Sequence, residues 1–516
     1  MDRIITACLI LLMWMTMTQA QTGTLEEQQF IAAASQIESG SLKFATQVKE
    51  FYKLNLYSPV WMKNPVSRQQ LFGYFAQSAG LGLNENDYRS AALTGYSSGT
   101  ISLHSYTDSL AADIRFTDAA IHFFTDLSFG SEAPSLGYNG LNYKPTCISI
   151  VPQLALSLLQ GRFDHLLAAV EPQSPEYKAV KEMLRQYMAQ CEDSLYNEKE
   201  KITSTVARND NKILLHKLYQ FKLIDSLNLT PAEWKEKIKA AQRLFNIQED
   251  GILNATLIKA LNVPLPVRIQ ELKRTLNLLR WLRCIKAQQR NTVIVNIPSA
   301  SLLVYNSDSL VFSTKVIVGK ASTRTPTLTS SITEVILYPY WVVPKKIAVK
   351  ELLPLIKKNT GYLDENRLQV INSNGRVIDP AIINWSQLSA TNFPYTLRQS
   401  TGCDNSLGII KLNFYSPFGV YLHDTPWKPL FNFNRRYFSH GCIRVEDAEG
   451  LGRLALYDNT VAIDSLTEKG CLYNKKPLSV PVSQQLNVLV LYTTAWGDDK
   501  AEVRFYSDVY NKFPYR

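Results

Sequence analysis

Histidine and cysteine are scarce in this chain, 6 and 7 among 516 residues, and neither falls in a metal-ligating pattern. His104, His122, His165 and His216 stand singly. Past Cys8, the cysteines Cys147, Cys191, Cys284, Cys403, Cys442 and Cys471 are scattered, without the spacing of a zinc site or a disulfide framework. That argues against a zinc enzyme and against a small stapled fold. Charged residues make up only 19%, with no Lys/Arg-rich run of the kind that holds nucleic acid, so nucleic acid is not an expected partner. After the first twenty residues no apolar stretch is long enough to span a bilayer. Disorder is excluded by what is present: 46% hydrophobic residues, with 26 Tyr, 21 Phe and 8 Trp. The net charge of +10 is a mild excess that favours anionic partners without choosing among them.

Length alone, at about 150 residues per domain, predicts roughly three domains. Residues 1–20 read as a cleaved secretory signal: a lone Arg3, an apolar run from Ile4 to Met17, then Thr18-Gln19-Ala20. This predicts an exported protein of the periplasm or cell envelope. Ile5-Thr6-Ala7-Cys8 lies within the apolar run rather than after it, which argues against a lipid anchor. Residues 21–225 read as a helical scaffold, with a helix over Ser174 to Leu195 and a turn at Pro134 to Asn139. A small helical module follows over 226–266. Thr230-Pro231-Ala232-Glu233 supplies an N-cap, a proline at the first helical position and a capping box. Trp234, Ile238, Ala241 and Phe245 then recur at helical spacing, and after Asp250-Gly251 a second helix carries Leu257, Ala260 and Leu261. A basic amphipathic helix over 267–290 links this module to the next domain. From 291 to 470 the period becomes that of strands, over Thr292 to Ile297, Leu302 to Tyr305, Leu310 to Val318, Glu334 to Leu337, Ile409 to Phe414 and Gly419 to Leu422. The mixed insertion 345–408 reads as a lid, and 471–516 as a C-terminal extension. The fold class expected is multidomain α+β, helices first and a mostly β domain after them.

The chemistry concentrates in two short segments. Val420-Tyr421-Leu422-His423-Asp424-Thr425 presents an imidazole at a strand end, and Ser439-His440-Gly441-Cys442-Ile443-Arg444 presents a thiol in a turn of small residues. Attack on a carbonyl by cysteine needs a base for the thiol proton and N–H groups for the developing oxyanion. A bare Cys–His pair is weak evidence, because free cysteine is often simply buried.

The full pattern is more specific. It resembles the signature of L,D-transpeptidases with a YkuD-type catalytic domain, and the agreement extends to Val316-Ile317-Val318-Gly319-Lys320, Thr325-Pro326, Pro339 to Pro344, Arg398-Gln399, Asn405-Ser406-Leu407-Gly408 and Tyr492 to Trp496. Ala241 to Leu244, Asp250 to Thr256 and Ala260 to Asn262 look like the peptidoglycan-binding module of cell-wall enzymes, except that Asn254 stands where that family usually has glycine. The resemblance implies Cys442 as nucleophile and His423 as general base and acid. It implies oxyanion or substrate-orienting roles for Tyr421 and for the amides of Gly441 and Cys442. Ser439 belongs to the same turn, His440 buttresses it or is a rival base, and Arg444 shapes the turn or meets a substrate carboxylate. Asp424 orients an imidazole or is solvated. The implied reaction joins the third-position diamino acids of two peptidoglycan stem peptides through a cysteine thioester, with neither metal nor organic cofactor. Glycan and stem peptides are the implied partners, and carbapenem-type β-lactams the implied covalent inhibitors. Trimming of stem peptides by the same dyad, and non-catalytic wall binding, are the alternatives. Cys403, which the resemblance places near the mouth of the site, raises the further possibility of a reversible Cys403–Cys442 disulfide, against a packed thiol or a bond to Cys471.

Overall fold

The computed structural model describes residues 24–38, 40–203, 211–288, 291–457, 463–464, 476–497, 500 and 502–514. The expected signal segment lies outside them. A helical N-terminal region precedes a mostly β C-terminal domain, and the chain divides into two compact units. Among the described residues no helix is long and apolar enough to cross a membrane.

The first unit takes the described residues up to Ala133, then Pro145–Arg185 and Leu272–Cys284. It is organised around the helix Tyr106–Phe129, which starts at the N-cap Ser105 and buries Leu110, Ile114, Phe116, Ile121, Phe123, Phe124 and Leu127. Two buried carboxylates on this helix tie down the preceding chain. Asp113 accepts from the Val60 and Met62 amides at 3.0 and 2.7 Å, and Asp118 from those of Lys43 and Phe44 at 3.1 and 2.7 Å. Buried backbone donors that find no helix or sheet partner are satisfied in this way. His122 sits in the same helix against Asp126 at 3.0 Å and serves packing. A disulfide joins Cys147 to Cys284 across a sequence separation of 137. The cysteine spacing gave no sign of it, because the two partners come from distant segments.

The second unit comprises Pro134–Lys144, Gln186–Glu271 and the chain from Ile285 onward. In the helical module the capping box forms as written, Thr230 accepting from the Glu233 amide while the Glu233 carboxylate accepts from that of Thr230. Asn254 is the N-cap of the helix Ala255–Leu261, accepting from the Leu257 amide at 3.0 Å, a role glycine fills without a side-chain bond.

The β domain is a closed sheet. β1 (Tyr138–Asn139) comes from the region expected to be helical scaffold, and β2 (Asn291–Asn296), β3 (Ser301–Asn306) and β4 (Ser309–Gly319) form an antiparallel meander. β5 (Leu328–Leu337) is followed by β6 (Trp341–Val342), which precedes the insertion and joins its β7 (Leu368–Ile371), β8 (Val377–Ile378) and β9 (Thr396–Gln399) in a separate four-stranded sheet. The chain returns as β10 (Ile410–Phe414), β11 (Leu422–His423), β12 (Tyr437–Ser439), β13 (Ile443–Val445) and finally β14 (Leu478–Leu491). The run expected as a strand over Gly419 to Leu422 pairs only from Leu422 onward. Pairings run β5, β10, β11, β13, β4, β3, β2, β14 and back to β5, so the sheet leaves few edges open. β14 pairs with both β2 and β5. The segment beyond 470, expected as an extension, therefore supplies a strand of the closed sheet itself. Inside lie Val293, Val295, Leu302, Val316, Val318, Leu412, Leu422, Ile443, Val488 and Val490, covered by Leu451 and Ala455 of the helix Ala448–Leu456.

The insertion has a core of its own, built from Val343, Leu352, Leu353, Ile356, Leu363, Val370, Trp385 and Leu397. Its first helical stretch contains a π turn over Ala348–Leu352, where an extra residue re-aims the side chains.

Candidate active site

β11 and β13 are neighbours in register, with Leu422 opposite Ile443 and His423 opposite Arg444. Leu422, Ile443 and Val445 face the core, so the alternation of a strand turns His423 and Arg444 to the other face. Between β12 and β13 the chain makes the turn that carries Cys442. Gly441 has φ +120°, a conformation open to glycine and strained for any other residue. Ser439 staples this turn, its hydroxyl donating to the Cys442 carbonyl at 2.6 Å and accepting from the Gly441 amide at 3.1 Å. The Gly441 amide, expected to hold an oxyanion, is thus engaged within the turn.

The turn is also tied down from behind. Thr325 donates to the Gly441 carbonyl at 2.8 Å and accepts from the Gly319 amide at 2.8 Å. The Tyr510 hydroxyl accepts from the Thr325 amide at 3.0 Å and donates to the Gly319 carbonyl at 2.8 Å. Thr323 donates to the Ser439 carbonyl at 3.0 Å. The Cys442 turn is therefore fixed through its carbonyls by groups from the end of β4, the loop after it and the C-terminal segment.

Tyr421, His423, Ser439, His440, Cys442 and Arg444 all line one cavity of about 450 Å³. One wall is the loop Ser322, Thr323 and Arg324. Trp341 and Pro344 just before the insertion, and Lys346, Ile347, Lys350, Glu351, Ser406 and Leu407 within it, complete the lining. His440 places its Nε2 2.9 Å from the carboxylate of Glu351 on the π turn.

The electrostatics favour an uncharged pair at rest. His423 is buried, and burial together with the Arg444 and Lys411 charges pushes its pKa down to about 3. Its Nδ1 lies 2.6 Å from the backbone carbonyl of Asp424, which leaves Nε2 as the basic nitrogen. Asp424 orients the imidazole through that carbonyl, while its carboxylate accepts from the Ile409 amide at 3.0 Å and pairs with Lys428 at 2.7 Å. Burial raises the Cys442 thiol, while hydrogen bonds from the amide and hydroxyl of Tyr421 and the charges of Lys411 and Arg444 oppose the rise. The Tyr421 hydroxyl is itself held well above the usual tyrosine range by burial, so it stays a donor.

Cys442 is free, and Cys403 is disulfide-bonded. The suggested Cys403–Cys442 bond is therefore absent, and the thiol is available. Among the described residues no group of His, Cys, Asp and Glu could hold a metal ion.

Residues 290–463 match the family model of the L,D-transpeptidase catalytic domain, YkuD. The chain carries an L,D-transpeptidase catalytic domain. Residues 46–184 match a scaffold domain. A Haemophilus influenzae protein assigned as an L,D-transpeptidase is 36% identical over 206 residues, which is 40% of this chain and 41% of that one. The chain thus aligns with about two fifths of that relative's length. Solved structures similar to this chain include an L,D-transpeptidase from Mycobacterium smegmatis, with 13% identity, TM-score 0.19, and 39% of this chain and 58% of that one covered. L,D-transpeptidase 3 from Mycobacterium tuberculosis aligns with 11% identity and TM-score 0.20, over 39% of this chain and 61% of that one.

Several residues of this L,D-transpeptidase domain were not assigned roles by sequence reasoning. Thr325 was noted only as part of a shared Thr-Pro pair, and Lys411, Glu351 and Tyr510 not at all. Each lies far from the dyad in sequence or inside a strand, where spacing carries no chemical signal.

Proposed function

We propose that this protein is an exported L,D-transpeptidase that cross-links peptidoglycan stem peptides through their third residues. The observation that carries the reading is a free thiol, Cys442, lining one cavity with a neutral, backbone-oriented imidazole, His423, inside a domain of this family.

The resting pair is thiol and neutral imidazole. As Cys442 attacks the carbonyl between a third-position diamino acid and a terminal D-alanine, His423 takes the thiol proton and the C–S bond forms. The Tyr421 hydroxyl and the Cys442 amide face the oxyanion. His423 then gives the proton to the departing D-alanine amine as the C–N bond breaks, leaving a thioester. The side-chain amine of a second stem attacks, losing its proton to His423, and the sulfur leaves and is reprotonated. Neutrality suits each half-reaction, because an imidazole held well below its ordinary pKa returns its proton readily. Arg444 and the basic residues of the lining, Arg324, Lys346 and Lys350, provide positive charge for the carboxylates of stem peptides. The insertion 345–408 acts as a lid: its Glu351, held to His440, closes one side of the cavity, and water exclusion there favours amine over water as acceptor. The helical module over 226–266 holds the wall polymer. The same thiolate is the site at which carbapenem-type β-lactams acylate the enzyme. The apolar run at 4–17 and the exported substrate support a location in the periplasm or cell envelope.

Mass spectrometry of disaccharide-tetrapeptide incubated with the full chain tests the reading. Cross-linked dimers that vanish with Cys442→Ala support it. Trimmed monomer alone makes the enzyme a carboxypeptidase, and unchanged substrate makes the protein a wall-binding scaffold.

A further inference from the structure

Three neighbouring strands set a row of side chains in register, two of which, His423 and Arg444, line the cavity. Lys411 of β10 stands opposite His423 of β11, and His423 opposite Arg444 of β13. Residues in register across a sheet share a face. Ile410, Leu412, Leu422, Ile443 and Val445, their sequence neighbours, fill the core on the other face. The imidazole thus stands between two cations.

The Lys411 ammonium lies 4.1 Å from the centre of the Tyr421 ring, close contact for a cation over an aromatic face. Tyr421 lines the same cavity as Cys442, and its hydroxyl and amide act to hold the thiol's pKa down, while the thiol itself lies 4.0 Å from the Gly419 carbonyl. Lys411 is partly buried, and among the described residues no carboxylate reaches ion-pair distance of it. Burial holds its pKa below the ordinary lysine range, while the Cys442 thiol and Glu334 act in the opposite sense. Glu334, on β5, has its carboxylate engaged by Asn413 and Ser479. The charged and titratable groups facing this lysine are therefore Cys442 from the nucleophile turn, Tyr421 and His423 from the β11 segment, Glu334 from β5, and Arg444 beyond His423 on β13.

We infer that Lys411 is a positioning residue for the nucleophile: its ammonium holds the Tyr421 ring in the cavity that Cys442 lines and supplies the positive charge against which the thiolate forms. The inference rests on the proposed role of Cys442 and deepens it. A thiol buried in this cavity loses its proton only where charge and donors compensate. Tyr421 supplies the donors, and Lys411 supplies charge from behind the ring, leaving the cavity clear for substrate. Its cation also opposes a lasting imidazolium on His423, so the proton taken from sulfur passes on rather than resting there.

The test compares Lys411→Met, Lys411→Gln and Lys411→Arg with the full wild-type chain. The rate of Cys442 alkylation by iodoacetamide is followed against pH, read on the Cys442 peptide by mass so that the free Cys191 does not contribute. Met and Gln are expected to move the midpoint of the profile upward by about one pH unit, with a rate near pH 8 about tenfold lower. Arg, which keeps the charge and the aromatic contact, should stay within about twofold of wild type. A wild-type profile in a folded Met or Gln variant overturns the inference, as does an Arg variant that shifts like Met. Failure of both neutral variants to fold also overturns it, since Lys411 would then be a structural residue. Alkylation needs no stem peptide, so a failure here is distinct from a failure of the transpeptidase reading.

Discussion

Thr325 offers a sharp test of how the nucleophile is held. Its hydroxyl bridges two backbone groups, donating to the Gly441 carbonyl and accepting from the Gly319 amide, both at 2.8 Å and both buried. Thr325→Val exchanges that hydroxyl for a methyl group of similar size and leaves both partners without a bond. An unsatisfied buried polar group costs about 1–3 kcal/mol, so two of them cost roughly 2–5 kcal/mol after partial relaxation. For a cooperative unit of 150–250 residues that is a fall in Tm of roughly 5–15 °C. The damage is not spread evenly. The freed carbonyl belongs to Gly441, the residue at φ +120° that aims Cys442, so the thiol loses its fixed direction. Acylation should therefore fall by on the order of tenfold or more, as misplacement by fractions of an ångström does in other sites. Calorimetry and single-turnover thioester formation followed by intact mass read the two effects. Thr325→Ser, which keeps the hydroxyl, should retain both bonds and most of the rate. A Val variant with Tm within about 1 °C of wild type and an unchanged acylation rate would refute the argument.

The remaining expectations follow from charge and covalent linkage. His423 titrates near 3 in the fold against an ordinary value of 6.5, so the unfolded chain binds a proton that the folded chain refuses in that window. The associated stability is complete above about pH 6.5 and is lost as pH falls toward 3; His423→Gln should flatten the decline in urea midpoint between neutral and acid pH, and an equal slope in both proteins would contradict it. The His440–Glu351 pair is half-exposed and worth under about 1 kcal/mol, so Glu351→Gln should raise the ratio of hydrolysed to cross-linked product by no more than about fivefold, measured by chromatography of the products. A larger change would mean that Glu351 touches substrate. The Cys147–Cys284 bond closes a loop with a separation of 137 residues, for which chain entropy sets a ceiling of about 5 kcal/mol, so reduction or the Cys147→Ser, Cys284→Ser double variant should destabilise the first unit by about 2–5 kcal/mol, seen as a lower-temperature transition in calorimetry.

That Cys442 and His423 come together in one cavity could be read from the sequence, for a physical reason. A nucleophile turn and a histidine at a strand end are short-range patterns, and their chemistry needs those residue types in that order. The capping box at Thr230 and Glu233 was legible on the same ground, because an N-cap and its reciprocal carboxylate lie three residues apart. Other features depend on contacts between distant segments. β1 and β14 join the closed sheet from outside the stretch that reads as the catalytic domain, because strand pairing ignores sequence distance. The Gly441 amide was expected to face substrate, but the hydroxyl two residues before it takes that hydrogen bond first. Lys411 reads as an ordinary polar position in an alternating strand. Only the register with His423 and the ring of Tyr421 above it give that position a chemical meaning.

The bonds that Tyr510 makes with Thr325 and Gly319 have a consequence for the order in which the chain emerges. Cys442 is synthesised well before Tyr510, and β14, which closes the sheet, also follows it. Until the last residues are made the thiol has its neighbours in sequence but lacks the fastening that aims it. A polypeptide stalled or clipped between these two positions would present a cysteine without a functioning acyl-transfer site. The aimed thiol thus arrives late in synthesis, and fragments that end before Tyr510 would lack it.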